Sequence, residues 1–239
     1  MIETVAETGS TNADLLARLD AGEIVPEGHW LIADRQGKGR GRQGRSWQDA
    51  HGNYMGSTAV QVTSDGPPAH TLALAAGLAV YAAVGAIIPA TVQARLKWPN
   101  DLLVNGAKLA GILLERSRNT IIVGIGVNLA KAPSLADRRT VALSAFGPAP
   151  DRGLFARNLA DIFAAELIRW RTYGLELLVR RWTEAAHAIG TPLTVMPPGE
   201  EPLHGSFAGL TGEGNLRLST GRGERIIHAG DVVLQEETR

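Results

Sequence analysis

The sequence predicts an α+β chain, a mostly antiparallel sheet flanked by helices and followed by a small C-terminal β-barrel. Three observations carry this. Two hairpin signals follow one another between Leu102 and Leu129, helical stretches lie before and after them, and from Gly190 onward short β-like pieces are broken by Gly, Pro and Asn. A chain of 239 residues suits one substantial core plus a small appendage. The boundary is set between residues 1–188 and residues 189–239.

Ser10 or Thr11 can cap a first short helix, because a hydroxyl accepts from the free amides of the first turn, and Thr11-x-x-Asp14 resembles a capping box. Leu15, Leu16 and Leu19 share one face, and Gly22 closes the helix. His29 to Asp34 reads as a buried strand leading into GKGRGRQGRSW at residues 37–47, and Ala59 to Thr63 as another strand. The Ala-rich segment from Thr71 to Ile88 contains an uncharged run, Leu72 to Ile88, that falls short of the ~20 strongly apolar residues a bilayer requires. It reads as a buried helix.

Leu102–Val104, Asn105-Gly106 and Leu109–Leu114 form the strongest hairpin signal, since Asn-Gly tolerates the positive φ values of a two-residue turn. RSRNT at 116–120 separates that hairpin from IIVGIGVNL at 121–129, so three successive strands form an antiparallel meander. Residues 132–150 are a loop region, and Leu154 to Trp182 carries helical periodicity with arginines on its outer face. PLTVM, HGSFAGL, NLRLST, RIIHAG and DVVLQ supply the pieces of the barrel, which is small enough that it must lean on the larger domain.

Composition narrows the function. With 24 basic and 24 acidic residues the formal charge is zero, so no global field draws the chain to nucleic acid or anionic lipid. The absence of cysteine removes disulfides, thiolate nucleophiles and cysteine-based zinc sites. The first residues, MIETVAETGS, lack the basic and apolar regions of a secretory signal, so a cytoplasmic location is expected.

GRGRQG at 39–44 matches the dinucleotide-binding pattern literally, but no apolar helix opens at its last glycine. Gly37-Lys38 is followed by Gly39 rather than the hydroxyl residue of a Walker loop. What remains is a loop of Arg40, Arg42 and Arg45 interleaved with glycines. Its backbone can approach a ligand closely, and its guanidinium groups can fork onto phosphate or carboxylate oxygens. A solvated basic loop or a nucleic-acid contact is the alternative. In KWPNDLLVNGAKLAGILLE, residues 97–115, Lys108 lies among apolar strand residues, so its ammonium must snorkel outward or meet a partner.

Four ordered segments resemble the motifs of biotin protein ligases: ETGSTN at 7–12, RQGKGRGRQGRSW at 35–47, KWPNDLLVNGAKLAGILLE at 97–115 and GIGVNL at 124–129. The resemblance implies a catalytic domain related to class II synthetases, with a mixed sheet, and an SH3-like C-terminal β-barrel. It implies that biotin and ATP are substrates, with Mg²⁺ accompanying ATP and no dedicated metal site. Biotinyl-AMP would form first, and the biotinyl group would then pass to a lysine of a biotin carboxyl carrier protein. Ser10, Thr11, Asn12, Gln36, Arg40, Gly41, Arg42, Lys108 and Gly111 would contact biotin, and Arg42, Trp47, Asn100, Lys108 and Asn128 the nucleotide. Lys108, Arg40 and Asp101 would be catalytic, with Asp101 placed to orient or accept a proton from the carrier lysine. Gln43 departs from the arginine many relatives carry, so the loop has one charge fewer to hold an intermediate. The STN motif begins close to the start of the sequence, so no DNA-binding domain, no DNA partner and no membrane partner are expected; a homodimer is compatible with the resemblance. A lipoate protein ligase, or a non-catalytic nucleic-acid-binding module, is the alternative function.

Overall fold

The structure is a computed structural model that describes residues 1–235; the last part of the expected 189–239 domain lies outside them. The chain runs β1 (Ile2–Thr8), α1 (Thr11–Asp20), β2 (Trp30–Gln36), β3 (Tyr54–Gln61), α2 (Leu72–Gly85), β4 (Ala94–Lys97), β5 (Asp101–Val104), β6 (Ala107–Ser117), β7 (Thr120–Val127), α3 (Arg152–Thr172) and α4 (Gly174–Ala185). Five short strands follow, β8 (Pro192–Met196), β9 (Leu203–Leu210), β10 (Leu216–Thr220), β11 (Gly223–Ile227) and β12 (Asp231–Leu234).

The first seven strands make one sheet in the order β1-β2-β3-β7-β6-β5-β4. β1 pairs with β2 in parallel, and the other neighbours are antiparallel, so the sheet is mixed and mostly antiparallel as expected. The β5-β6-β7 meander turns at Asn105-Gly106, both at positive φ, and again at Arg118-Asn119, which tightens the second hairpin to two residues. β1 and β4 carry no clear signal in the sequence. β1 mixes Glu and Thr with Ile, Val and Ala on a sheet edge where none of its side chains is fully buried, and β4 is only four residues long.

α2 packs its buried Leu and Ala side chains against the sheet, and α3 and α4 lie on it in turn. Among the described residues no helix is long and apolar enough to cross a membrane. The helical periodicity between Leu154 and Trp182 resolves into two helices, because Gly174 takes a left-handed φ of 74° and reverses the chain. Glu166 of α3 is buried and held by Arg169 and by Arg181 of α4, which clamps the two together. At the other end of the chain Ser10 is the N-cap of α1, its Oγ accepting from the Ala13 amide. Asp14 does not close a capping box. It accepts instead from the Thr8 hydroxyl.

The expected C-terminal barrel is not formed. β8 to β12 make an open antiparallel sheet in the order β11-β10-β9-β8-β12, and its edge strands β11 and β12 do not pair with each other. Two features account for this. β11 exposes Gly223 to Ile226 and turns only Ile227 inward, so it gains little apolar burial by closing. The free side of β12 is already engaged with the larger domain, where the Lys97 ammonium donates to the Val232 carbonyl. The sheet leans on the larger domain as expected. Leu193, Val195, Phe207 and Leu216 join a single buried cluster with Leu96, Trp98, Trp182 and Ala186, and the Trp98 indole donates to the Gly214 carbonyl.

Candidate functional site

A cavity of 1390 Å³ opens over the exposed face of the large sheet, and every residue singled out from the sequence as a site residue lines it. It is larger than the ~300–1,000 Å³ typical of a single drug-sized ligand, and its two ends differ in chemistry.

At one end the groups are neutral. The first turn of α1 meets β2 and β3, so the Thr11 amide donates to Gln36 Oε1 at 2.7 Å, with the Thr11 hydroxyl 3.1 Å from the same oxygen. The Thr11 hydroxyl lies 2.6 Å from that of Ser57, which donates to Asn12 Oδ1 at 2.6 Å. Asn12 Nδ2 donates to Glu115 at 2.8 Å. All these side chains except Glu115 are buried, so the network fixes their orientations before any ligand enters. The Asn12 amide fits because Gly124 lies beneath it. A Cβ there would stand 2.2 Å from Asn12 Oδ1.

At the other end the groups are charged. Asp101 opens β5 directly after the Pro99-Asn100 turn, and its carboxylate, 7% exposed, lies 2.6 Å from Lys108 Nζ and 3.2 Å from Lys97 Nζ. Burial alone would raise the Asp101 carboxyl, but the two ammonium groups hold it below the usual carboxylate range. Burial pulls the Lys108 ammonium below the ordinary lysine value, against the opposing pull of Asp101. Lys108 therefore snorkels into the cavity and meets a partner. Arg42 reaches the same end, donating to Asn100 Oδ1 at 3.2 Å, and desolvation lowers its guanidinium from the usual arginine value.

The arginine loop is a small hairpin closed by a bridge between Arg40 and Ser46. Its members do not converge on one point. Arg40 is half exposed and lies 3.0 Å from Glu115, whereas Arg45 lies 2.8 Å from Asp231 at the start of β12. Gln43 is exposed and left-handed at φ 56°, so the loop displays it away from the cavity. Gly41 lets the backbone fold back on Arg45, donating its amide to the Arg45 carbonyl at 2.7 Å. Trp47 lies flat on the sheet over the paired Gly111 and Gly126, where a Cβ would stand 3.3 and 2.4 Å from its indole. The indole N–H is buried without a partner. Asn100 is committed to the Ile112 carbonyl as well as Arg42, and Asn128 to the Val141 carbonyl, so both shape the wall.

Sequence reasoning assigned no role to Ser57, Glu115, Gly124, Lys97 or Asp231. Ser57 and its neighbour Thr58 are hydroxyl residues in a strand that is nearly all buried, and Gly124 and Gly126 alternate on one face of β7. Lys97 belongs to a quoted motif. Asp231 carries no local signal, because it reaches the loop only through the docking of the C-terminal sheet.

Residues 8–130 match the family model described as Biotin/lipoate A/B protein ligase family, and residues 194–235 match the model described as Biotin protein ligase C terminal domain. The chain is 38% identical over 236 residues to a biotin acetyl-CoA-carboxylase ligase of Mycobacterium tuberculosis, covering 97% of this chain and 88% of that protein. A protein of the same name from Paracoccus denitrificans is 35% identical, covering 95% of this chain and 98% of its own. Among solved structures, the biotin protein ligase from Aquifex aeolicus in complex with biotin and ATP superposes with a TM-score of 0.84 at 28% identity, covering 98% of each chain.

Proposed function

Because the chain belongs to the biotin/lipoate A/B protein ligase family, we propose that it activates biotin with ATP and transfers the biotinyl group to a lysine of a biotin carrier protein. The observation that carries this reading is the division of one cavity into a buried neutral hydrogen-bonding end and a cationic end. An uncharged bicyclic ring that both donates and accepts hydrogen bonds suits the first. Carboxylate and phosphate suit the second.

In the first step an oxygen of the biotin carboxylate attacks the α-phosphorus of ATP, the bond to the bridging oxygen breaks and pyrophosphate leaves. Two anions must meet, so cations placed beforehand lower the barrier, and each donor of this kind is worth ~3 kcal/mol in rate. Lys108 and Arg42 take this role. Arg40 lies at the rim, and its role is loop closure with Gly41. Trp47 on its glycine floor and the wall residues Asn100 and Asn128 border the nucleotide, and Ser10, Thr11, Asn12 and Gln36 border the biotin ring. Mg²⁺ enters with ATP as part of the nucleotide substrate.

In the second step the neutral amine of the carrier lysine attacks the acyl carbon, the acyl–oxygen bond breaks, AMP leaves with the bonding pair, and the extra proton on the nitrogen passes to solvent water. A carboxylate held below its usual range is a weak base. Asp101 therefore acts by attracting and orienting the incoming ammonium and by holding Lys108. Residues 1–188 serve as the catalytic domain and residues 189–239 as a second domain, whose described part closes one side of the cavity. The reading is tested by mixing the protein with labelled biotin, ATP and a carrier domain, with lipoate as competitor. Labelled carrier is expected; label displaced by equimolar lipoate, or a carrier left unlabelled, overturns the reading.

A further inference from the structure

In the hydrogen-bond chain at the neutral end of the cavity, the carboxylate of Glu115, near the end of β6, is the one side chain that accepts without donating. Its Oε2 accepts from Asn12 Nδ2 at 2.8 Å, and its Oε1 from Arg40 Nη1 at 3.0 Å. That sets the direction of every proton behind it. Because the Asn12 amide turns its NH₂ toward Glu115, its Oδ1 faces Ser57, whose hydroxyl donates to it at 2.6 Å. With its own proton committed, Ser57 takes one from the Thr11 hydroxyl, 2.6 Å away. Gln36 Oε1 is then left with the Thr11 amide as its donor, at 2.7 Å. Thr11, Asn12, Gln36 and Ser57 are all buried, so bulk water does not reset this order. Lone pairs on Thr11 Oγ1 and Gln36 Oε1 stay unused, and both residues line the cavity.

From this order we infer that Glu115 is a positioning residue that sets the polarity of the neutral pocket, making its wall an acceptor of N–H groups and so selecting a ligand ring that donates. The reversed order has the same shape. If Asn12 turned its NH₂ to Ser57, Ser57 would donate to Thr11, and Thr11 to Gln36 Oε1, which lies 3.1 Å away. Thr11 Oγ1 and Gln36 Oε1 would each lose a free lone pair. Both amide atoms of Asn12 lie over Gly124, and an amide oxygen and nitrogen are close to the same size, so packing does not choose between the two orders. The carboxylate does. In Glu115→Gln the Arg40 guanidinium, which only donates, keeps the new amide oxygen, the new NH₂ turns to Asn12, and the order reverses. The inference rests on the reading that the pocket holds biotin, whose bicyclic ring carries two N–H groups.

The test measures, by calorimetry without ATP, the affinities of wild type, Glu115→Gln, Ser57→Ala and the double variant for biotin and for its two cyclic-carbamate analogues, each with one ring N–H replaced by oxygen. All three ligands carry the same carboxylate, so the charge removed at Glu115 cancels in the ratio of biotin to analogue affinity. Wild type should prefer biotin over at least one analogue by about a hundredfold or more, as a site built to accept an N–H does. Glu115→Gln should lower that ratio about tenfold, the range for one hydrogen bond gained or lost. Ser57→Ala severs the relay between Asn12 and Thr11 and should lower it as well, and the double variant should fall no further than the lower single one. An unchanged ratio in Glu115→Gln, or additive falls in the double variant, overturns the inference while leaving carrier labelling intact. Should Glu115→Gln fail to fold, Ser57→Ala decides alone, and an unchanged ratio there overturns the inference too. If wild type itself neither binds biotin nor labels a carrier, the functional reading fails and takes the inference with it.

Discussion

The two ends of the cavity are built by opposite means. The neutral end is assembled from the first turn of α1 and two central strands, and its hydroxyls and amides satisfy one another in the absence of ligand. The cationic end is assembled from the β4–β5 turn, β6 and the edge of the C-terminal sheet, and a single buried carboxylate balances two ammonium groups. Neutral networks cost little to bury once satisfied, so they can be rigid and selective. Buried charges cost more, and they are retained where an arriving anion will be stabilised by them. The comparison assigns recognition to one end and chemistry to the other.

The largest expected effect is at Lys108. Lys108→Ala should slow pyrophosphate release with biotin and ATP by about a hundredfold or more, while biotin affinity changes by less than about threefold. Equal losses in both would erase the division. Asp101→Asn should leave adenylate formation less affected than transfer. Starting from preformed biotinyl-AMP, labelling of the carrier should slow by about ten- to a hundredfold, the range for a hydrogen bond to a charged group. At the neutral end Ser57→Ala removes the hydroxyl shared by Thr11 and Asn12, a hydrogen bond worth ~1 kcal/mol. The KM for biotin should rise about fivefold with kcat unchanged. A fall in kcat instead would show that this end also takes part in the chemistry.

The same division explains how much was readable beforehand. The cationic end was legible because its residues cluster in two short motifs with composition unlike a core, and Lys108 among apolar neighbours had to find a partner. The neutral end was legible only through the resemblance, and without Ser57, since Ser10, Thr11, Asn12 and Gln36, scattered over twenty-seven positions, look like caps and ordinary strand residues. Strands β5 to β7 were fixed by turn chemistry, which is local. β1, an exposed edge strand, and the break at Gly174 were missed because their causes are tertiary or a single residue's φ. The barrel was misjudged for a related reason. The spacing of the short strands states how many there are, but closure depends on which edge is already occupied, and that is set by Lys97 in the other domain.

A last effect, read on stability rather than on activity, asks how far the cationic end extends its field. His187 lies just beyond α4, lining both the main cavity and a small one beneath the C-terminal sheet, with its Nε2 buried and unpartnered. Burial, reinforced by Lys97 and Arg95 of β4, pushes its imidazole down to about 4. The folded chain therefore keeps His187 neutral where the unfolded chain, titrating near ~6.5, binds a proton. Between those values the unfolded state carries more protons, so stability rises with pH and is lost as pH falls from about 6.5 toward 4. Carboxylates such as Glu3, held at about 2 by the Arg18 hydrogen bond, lose their contribution in a lower window and do not mask the effect. Urea unfolding at pH 7.5 and 4.7 should show wild type losing about 1–2 kcal/mol more than His187→Gln across that interval, after screening by the water that reaches the ring. If Lys97→Met leaves the wild-type slope unchanged, the field of the cationic end stops at the cavity wall and burial alone sets the histidine.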